Sequence, residues 1–175
     1  MKRACCVLLL WLGCLTLPTM AEQSQEATAQ QRQSYRQAAS ALLQSYLQEQ
    51  HTWNHYFTTI APDQGAREQI APQQKYRRFL HSTLAQWRQL DGAANCQDSH
   101  LGYELALYAY TVAADFRLIF LYARGFLLEP KSISTLAEER SRLYTTEGDT
   151  YFKQAAQRAS SNGCVSLSAA EQTPP

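Results

Sequence analysis

The stretch His100–Leu128 reads HLGYELALYAYTVAADFRLIFLYARGFLL and is the most apolar region after the N-terminal segment. It is too long and unbroken for a typical strand, and its apolar residues fall on two sides of a helical wheel. One side carries Leu101, Leu105, Val112, Phe116, Ile119, Phe120 and Leu127, and the other carries Leu107, Ala114, Leu118 and Leu121. We interpret the stretch as the central helix of a helical bundle, covered on most of its circumference.

Two polar seams run between the apolar sides of this helix. Glu104 and Asp115 are eleven residues apart, and Arg117 and Arg124 are seven apart. Charges near the middle of the helix are costly in lipid, which argues against a membrane span. We expect ion pairs with neighbouring helices, and the alternative is a polar pocket that receives a ligand.

Helical spacing of apolar residues predicts three further helices around the central one, and in the first of them the steps alternate between four and three. The first has the stripe Tyr35, Ala39, Leu42, Tyr46, Trp53, Tyr56 and Ile60. The second begins near Ala66 or at Pro72 and ends at Asp91-Gly92. The last begins at Ser132 or Thr135, with the stripe Leu136, Leu143, Tyr144, Tyr151, Phe152, Ala155 and Ala159. The pattern predicts an all-α, antiparallel up-down four-helix bundle.

The N-terminus has the features of a secretory signal peptide. Lys2 and Arg3 precede an apolar run, and Thr19-Met20-Ala21 places small residues at positions −3 and −1 of a cleavage site. We therefore predict a signal peptide at 1–21, a flexible polar lead-in at 22–33, a bundle domain at 34–164 and a disordered tail at 165–175. Attachment of lipid at Cys14 is the alternative for export.

Removal of the signal peptide lowers the basic residues from 16 to 14, because Lys2 and Arg3 leave, against 15 acidic residues. A net charge of −1 offers no excess of cations for phosphates, so we expect no nucleic-acid partner. None of Asn54, Asn95 and Asn162 lies in a glycosylation acceptor. With the compact basic segment, this favours a periplasmic or secreted bacterial protein.

Two cysteines remain after cleavage, and an even pair in an exported chain predicts a disulfide between Cys96 and Cys164. Pro130 is the expected corner between the third and fourth helices, and each cysteine lies 34 residues from it. Positions equidistant from the corner of an antiparallel hairpin lie side by side. The spacing and the expected topology therefore predict the same bond.

The sequence contains no motif typical of a catalytic site. His51 and His55, at i and i+4, form a candidate metal-binding pair. Counted from the same end of an up-down bundle, His81, Asp115 and Glu147 are expected at a height along the bundle axis similar to that of His51. No methionine follows the predicted cleavage site, which excludes a Met/His haem site. We expect no cofactor, and the alternative is a bundle that binds a small ligand, a metal or haem.

Tyrosine is abundant, with four residues on the central helix and three on the first. Tyrosine and arginine are enriched in binding hot spots. We therefore predict a non-catalytic interaction protein, either an accessory subunit, an adaptor, a chaperone-like binder or an inhibitor, with a protein partner in the bacterial envelope.

Overall fold

The computed structural model describes the backbone of residues 20–126 and 131–168 and the side chains within 28–126 and 132–168. These residues form four long helices: α1 (Met20–His55), α2 (Ala66–Arg88), α3 (Gln97–Gly125) and α4 (Lys131–Ser161). A π-helix (Tyr56–Ile60) and a 3-10 turn (Ala61–Asp63) follow α1, and a second 3-10 turn (Ala94–Cys96) precedes α3. No strand occurs in the described ranges, so the predicted all-α class is confirmed.

The predicted disulfide is also confirmed. Cys96 and Cys164 are bonded, with their Cα atoms 5.6 Å apart, and both are fully buried. The bond joins the residue before α3 to a residue just after α4. The expected corner at Pro130 and the signal residues 1–19 lie outside the described residues.

α3 packs against α4 along the length of both helices. Gly102 near the start of α3 lies against Ala155 near the end of α4. Further along α3, Tyr110 packs on Gly148, where a Cβ would lie 2.6 Å from the Tyr110 ring. A glycine inside α4 can be explained by the close approach of a neighbouring helix or by a bend in α4. Close approach of the tyrosine ring is the reason that a larger residue does not fit.

The core is aromatic at its centre and lined with alanine where helices come close. Its largest fully buried side chains include Trp87, Tyr46, Tyr103 and Phe152. A smaller second cluster contains Ile70, Leu118, Phe120, Leu121 and Ala137. Burial of aromatic side chains of this size is the main source of stability in such a fold.

His100 sits at one end of the aromatic core. Its ring stacks on Trp87 with centroids 5.1 Å apart, its Nδ1 atom lies 3.2 Å from the Tyr35 hydroxyl, and its carbonyl accepts a 2.9 Å hydrogen bond from Trp87 Nε1. Burial lowers the pKa of His100, and the nearby charge of Glu104 opposes that shift only in part. The neutral imidazole is therefore the form that the fold favours.

Folding stability should consequently fall as the pH drops through the ordinary range of histidine. An unfolded chain with a pKa of about 6.5 binds a proton that the folded chain disfavours, so His100 stabilises the fold above that pH and loses the contribution below it. Urea midpoints measured between about pH 5 and pH 8 should show this slope. His100→Asn should flatten it, and His81→Asn, at an exposed site, should not. Equal slopes in all three proteins contradict the prediction.

Several apolar residues that the helical stripes place inside are exposed. On α3 these are Leu101, Leu105 and Ile119, on α4 they are Leu136 and Leu143, and Ile60 is a further case. The prediction of burial was wrong for them because their neighbours cover only one side of each helix. In particular, α3 packs against α2 and α4, and no other described helix covers its outer face.

The ends of the bundle differ from the expected boundaries. The polar segment 22–33 is helical and belongs to α1, which begins at Met20. Val165 is buried, and the backbone N–H of Ser166 donates to Ser40 Oγ at 2.8 Å. Residues 165–168, the first part of the predicted tail, therefore pack against the bundle, and 169–175 lie outside the described residues.

The segment Ala94–Gly125, which contains α3, is long and apolar enough to cross a membrane by length and composition. In its most apolar window, 56% of the segment is buried inside the fold. The core helix of a bundle has the same length and apolar composition as a membrane span.

Candidate functional site

A cavity of about 490 Å³ opens between the four helices, at the end of the bundle where α1 gives way to the π-helix. Its volume lies within the range of small-molecule sites. Its lining comprises Gln50, Asn54, Phe57, Ala61, Pro62, Gln69, Gln73, Tyr76, Tyr110, Ala113, Ala114, Arg117, Ser141 and Thr145. Arg117 is the one charged residue in this set. We call this space the four-helix cavity.

The change from α-helix to π-helix shapes one wall of the cavity. Within this segment Phe57 stacks on Trp53 and meets Tyr76 edge-on, with centroids 5.9 and 5.3 Å apart. The turn that follows is held by Gln69 of α2, whose amide donates to the carbonyls of Ala61 and Gln64. π-Helical turns are frequent at functional sites because they redirect side chains out of helical register.

Buried amides line the adjoining wall. Gln50 is 5% exposed, and its Nε2 atom donates to Asn54 Oδ1 at 3.2 Å and contacts the Tyr76 hydroxyl at 2.9 Å. Burial raises the pKa of Tyr76 to about 12, although the Gln50 hydrogen bond opposes the shift. Gln73 is 2% exposed, and its side chain makes one long hydrogen bond, 3.4 Å to the carbonyl of Ala114. These groups are neutral hydrogen-bonding partners at physiological pH.

Tyr110 continues the polar wall, and Tyr46 lies behind it in the core. Tyr110 donates to Asp149 Oδ1 at 2.9 Å, and burial followed by the Asp149 charge raises its pKa far above the usual range. Its neighbour Tyr46 is fully buried, and the Tyr46 hydroxyl has no hydrogen-bond partner within the part of the chain that is described. The same is true of Trp53 Nε1. Two hydrogen-bonding groups near the cavity therefore have no partner among the described residues.

Arg117 is half-buried and enters the cavity from α3. Its guanidinium lies 4.7 Å from the centroid of Phe120, and it forms no salt bridge within residues 28–126 and 132–168. The nearest carboxylate on α4, Glu138, is bonded to Arg142 at 2.7 Å instead. Burial lowers the pKa of Arg117; the charge of Glu138 opposes this shift, whereas those of Arg142 and Arg124 add to it.

The predicted seams of α3 do not form a single polar pocket. Glu104 pairs with Arg88 of α2 at 2.7 Å, and Asp115 pairs with Arg77 of α2. Arg124 is exposed and lies 5.5 Å from the same Phe120 ring that Arg117 covers. The carboxylates thus meet arginines of a neighbouring helix, as expected for ion pairs, and only Arg117 of the four reaches the cavity.

The histidines of the proposed metal site lie apart from the cavity. His51, His55 and His81 are all exposed. Among the described side chains, no three histidine, cysteine, aspartate or glutamate residues gather as a metal site would require. Asp115, which was expected at the same height as these histidines, does not complete a metal site, because its carboxylate is bonded to Arg77. Metal binding by the His51/His55 pair alone stays a prediction.

A second candidate feature is the uncovered face of α3. Six large apolar residues, between 37% and 54% exposed, follow it in steps of four and three residues, with Val112 and Asp115 at the intervening positions. We call this set the α3 stripe: Leu101, Leu105, Tyr108, Ile119, Tyr122 and Phe126. The Arg88–Glu104 pair lies at its edge towards α2, and Asp115, which lies within the row, pairs with Arg77 of α2.

Sequence reasoning missed most of the cavity. Gln50 and Gln73 fall at helical spacing with the apolar stripes of α1 and α2, but their polar side chains do not by themselves predict burial. One local signal was available, since Glu49-Gln50 interrupts the apolar stripe of α1 just before the aromatic run that becomes the π-helix.

These features define an all-helical, disulfide-linked bundle with an amide-lined internal cavity and an exposed apolar helix face. Comparison with protein-family models, with curated proteins and with solved structures gave no match. The fold and its side chains alone therefore guide the functional argument.

Proposed function

We propose that this chain is an exported, non-catalytic interaction protein that binds a protein partner in the bacterial envelope through the α3 stripe. The observation that carries the proposal is the exposure of the stripe along one whole helix. From Leu101 to Phe126 it spans about 38 Å at 1.5 Å per residue. Its six side chains offer on the order of 500 Å² of apolar surface, and exposed patches of this size commonly mark interaction sites.

The spacing and edge of the stripe indicate the kind of partner. Steps of four and three residues match the apolar face of a second helix, which packs along such a row. The Arg88–Glu104 pair lies at the edge of the stripe and the Arg77–Asp115 pair interrupts its middle, so the surface combines apolar side chains with charged pairs, as protein interfaces commonly do. Carboxylates among these side chains disfavour contact with lipid. We therefore assign the stripe to an amphipathic helix of another protein.

Export and topology form the rest of the proposal. A disulfide is expected in an oxidising compartment, and together with the signal pattern of 1–21 it supports a periplasmic or secreted location. An up-down order of the four helices accounts for the contacts between α1 and α2. Tyr46 stacks on Phe79, and one turn later Gln50 meets Tyr76, which is one turn earlier in α2.

Photo-crosslinking from the stripe tests the proposal. A benzophenone amino acid at Tyr108 should give one discrete crosslinked product in the envelope of the native host, and the same group at exposed His81 on α2 should not. Leu105→Glu and Ile119→Glu should each abolish the product by placing an unpaired charge in the interface. Both positions are exposed, so the melting temperature should move by only a few degrees.

His81→Glu is the matched control, since it adds the same charge at an exposed site outside the stripe. A product that persists in Leu105→Glu and Ile119→Glu contradicts the assignment of the stripe. A crosslink to a second copy of this chain would show that the stripe forms a homodimer and does not bind another protein. Flotation of the purified protein with anionic vesicles, lost in the glutamate variants, would instead identify a membrane surface.

A further inference from the structure

We infer that the four-helix cavity is a second binding site, which takes a small organic monocarboxylate with an aromatic or apolar body and holds the carboxylate on Arg117. This site is separate from the α3 stripe and does not depend on the proposed protein partner. The inference rests on an unpaired, half-buried guanidinium at the wall of a cavity that contains buried polar groups.

The charge of the site selects an anion. Arg117 is the one charged lining residue, and no carboxylate in the described ranges bonds to it. Arg124 and Arg142 add positive potential nearby, and Glu138 is already held by Arg142. A half-buried guanidinium with no bonded carboxylate is stabilised by a planar carboxylate, which accepts two parallel hydrogen bonds from it. One cation matches one negative charge on the ligand.

The remaining walls describe the body of the ligand. Phe57, Pro62 and Ala113 are apolar, and the rings of Tyr76 and Tyr110 add aromatic surface. This combination of apolar area with a few fixed polar groups is typical of small-molecule sites. A ring of six to nine atoms with a short acidic side chain fits a volume of about 490 Å³.

Buried amides supply the hydrogen bonds that fix orientation. Gln73 is 2% exposed and makes a single long bond of 3.4 Å, although a glutamine amide can make about four. Gln50, at 5% exposure, faces the same space from α1. A buried amide left with unused capacity is costly unless water or a ligand engages it. Gln73 therefore has capacity left for a polar group of the ligand, whereas Gln50 is engaged by Asn54 and Tyr76.

The test uses 4-fluorophenylacetate as the probe and ¹⁹F NMR titration of the full exported protein. The probe should bind the wild type, and its neutral analogue 4-fluorophenylacetamide should bind at least about tenfold more weakly, as expected when a charged hydrogen bond is lost. Arg117→Gln should weaken binding of the acid by a similar factor. Arg124→Gln removes the same charge over the same Phe120 ring outside the cavity, and it should change the affinity less than about twofold.

A second variant keeps the inference falsifiable if Arg117→Gln fails to fold. Thr145 is exposed at the mouth of the cavity, so Thr145→Trp should fold and should block entry without any change of charge. Loss of probe binding in Thr145→Trp supports the site. Equal binding of acid and amide, equal loss in the Arg117 and Arg124 variants, or no binding of the probe to the wild type overturns it.

Discussion

Removal of the Cys96–Cys164 disulfide should lower the free energy of unfolding by about 4 kcal/mol. The two cysteines are 68 residues apart, and closing a loop of this size restricts the unfolded chain far more than the folded one. Both side chains are fully buried, so Cys96→Ala/Cys164→Ala leaves no exposed thiol and creates only a small cavity. Urea denaturation of the oxidised wild type and of the double variant, followed by far-UV circular dichroism, measures the difference.

The loss should extend beyond the bond itself. Val165 and Ser166 follow Cys164 directly, and Ser166 is bonded to Ser40 on α1. Without the disulfide, no covalent bond ties this segment to the start of α3, so the Ser166 amide should exchange with solvent much faster. Reduced wild type should behave like the double variant. A difference below about 1 kcal/mol between oxidised and reduced protein contradicts the prediction.

Truncation of Trp87 should be comparably severe. Trp87 is fully buried between His100 and Tyr103, with ring centroids 5.1 and 5.3 Å away. Replacement of a buried aromatic residue by alanine costs about 3–5 kcal/mol, because contacts are lost and a cavity remains. A domain of this size has a total stability of about 5–15 kcal/mol, so Trp87→Ala should remove a large part of it. Guanidinium denaturation should show the shift in midpoint.

A paired substitution separates the hydrogen bond from the packing. Trp87 Nε1 donates to the carbonyl of His100, whereas Trp53 Nε1 has no partner in the described part of the fold. Trp87→Phe should therefore cost about 1–2 kcal/mol more than Trp53→Phe, since only the former breaks a buried bond. Equal losses in the two phenylalanine variants contradict this account of the Trp87 indole.

The contrast between the two sides of α3 shows how far helical spacing predicts packing. The sequence correctly places Leu107, Ala114 and Leu121 in the core, and it places Leu101 and Ile119 there wrongly. All five lie on apolar sides of the same helix. A helical wheel indicates which residues share a side, but the number and direction of neighbouring helices decide which side is covered.

The candidate site was predictable only in part for a related reason. Arg117 was visible as a charge in an apolar helix, and the sequence predicts either an ion pair or a pocket for such a residue. Its companions Gln50 and Gln73 come from other helices, and they approach it only when all four helices pack. Asp115, two residues earlier, meets Arg77 and becomes a surface ion pair instead.

The sequence by itself determined the helices and the Cys96–Cys164 bond. These follow from periodicity, from local composition and from equal spacing about a corner, which are properties of the chain in one dimension. Only the tertiary structure decided that no described residue covers the outer face of α3 and that Arg117 lines a cavity with no salt bridge to any described residue. Exposure and pairing depend on which side chains of distant segments meet, and the sequence pattern of a single helix contains no information about that encounter.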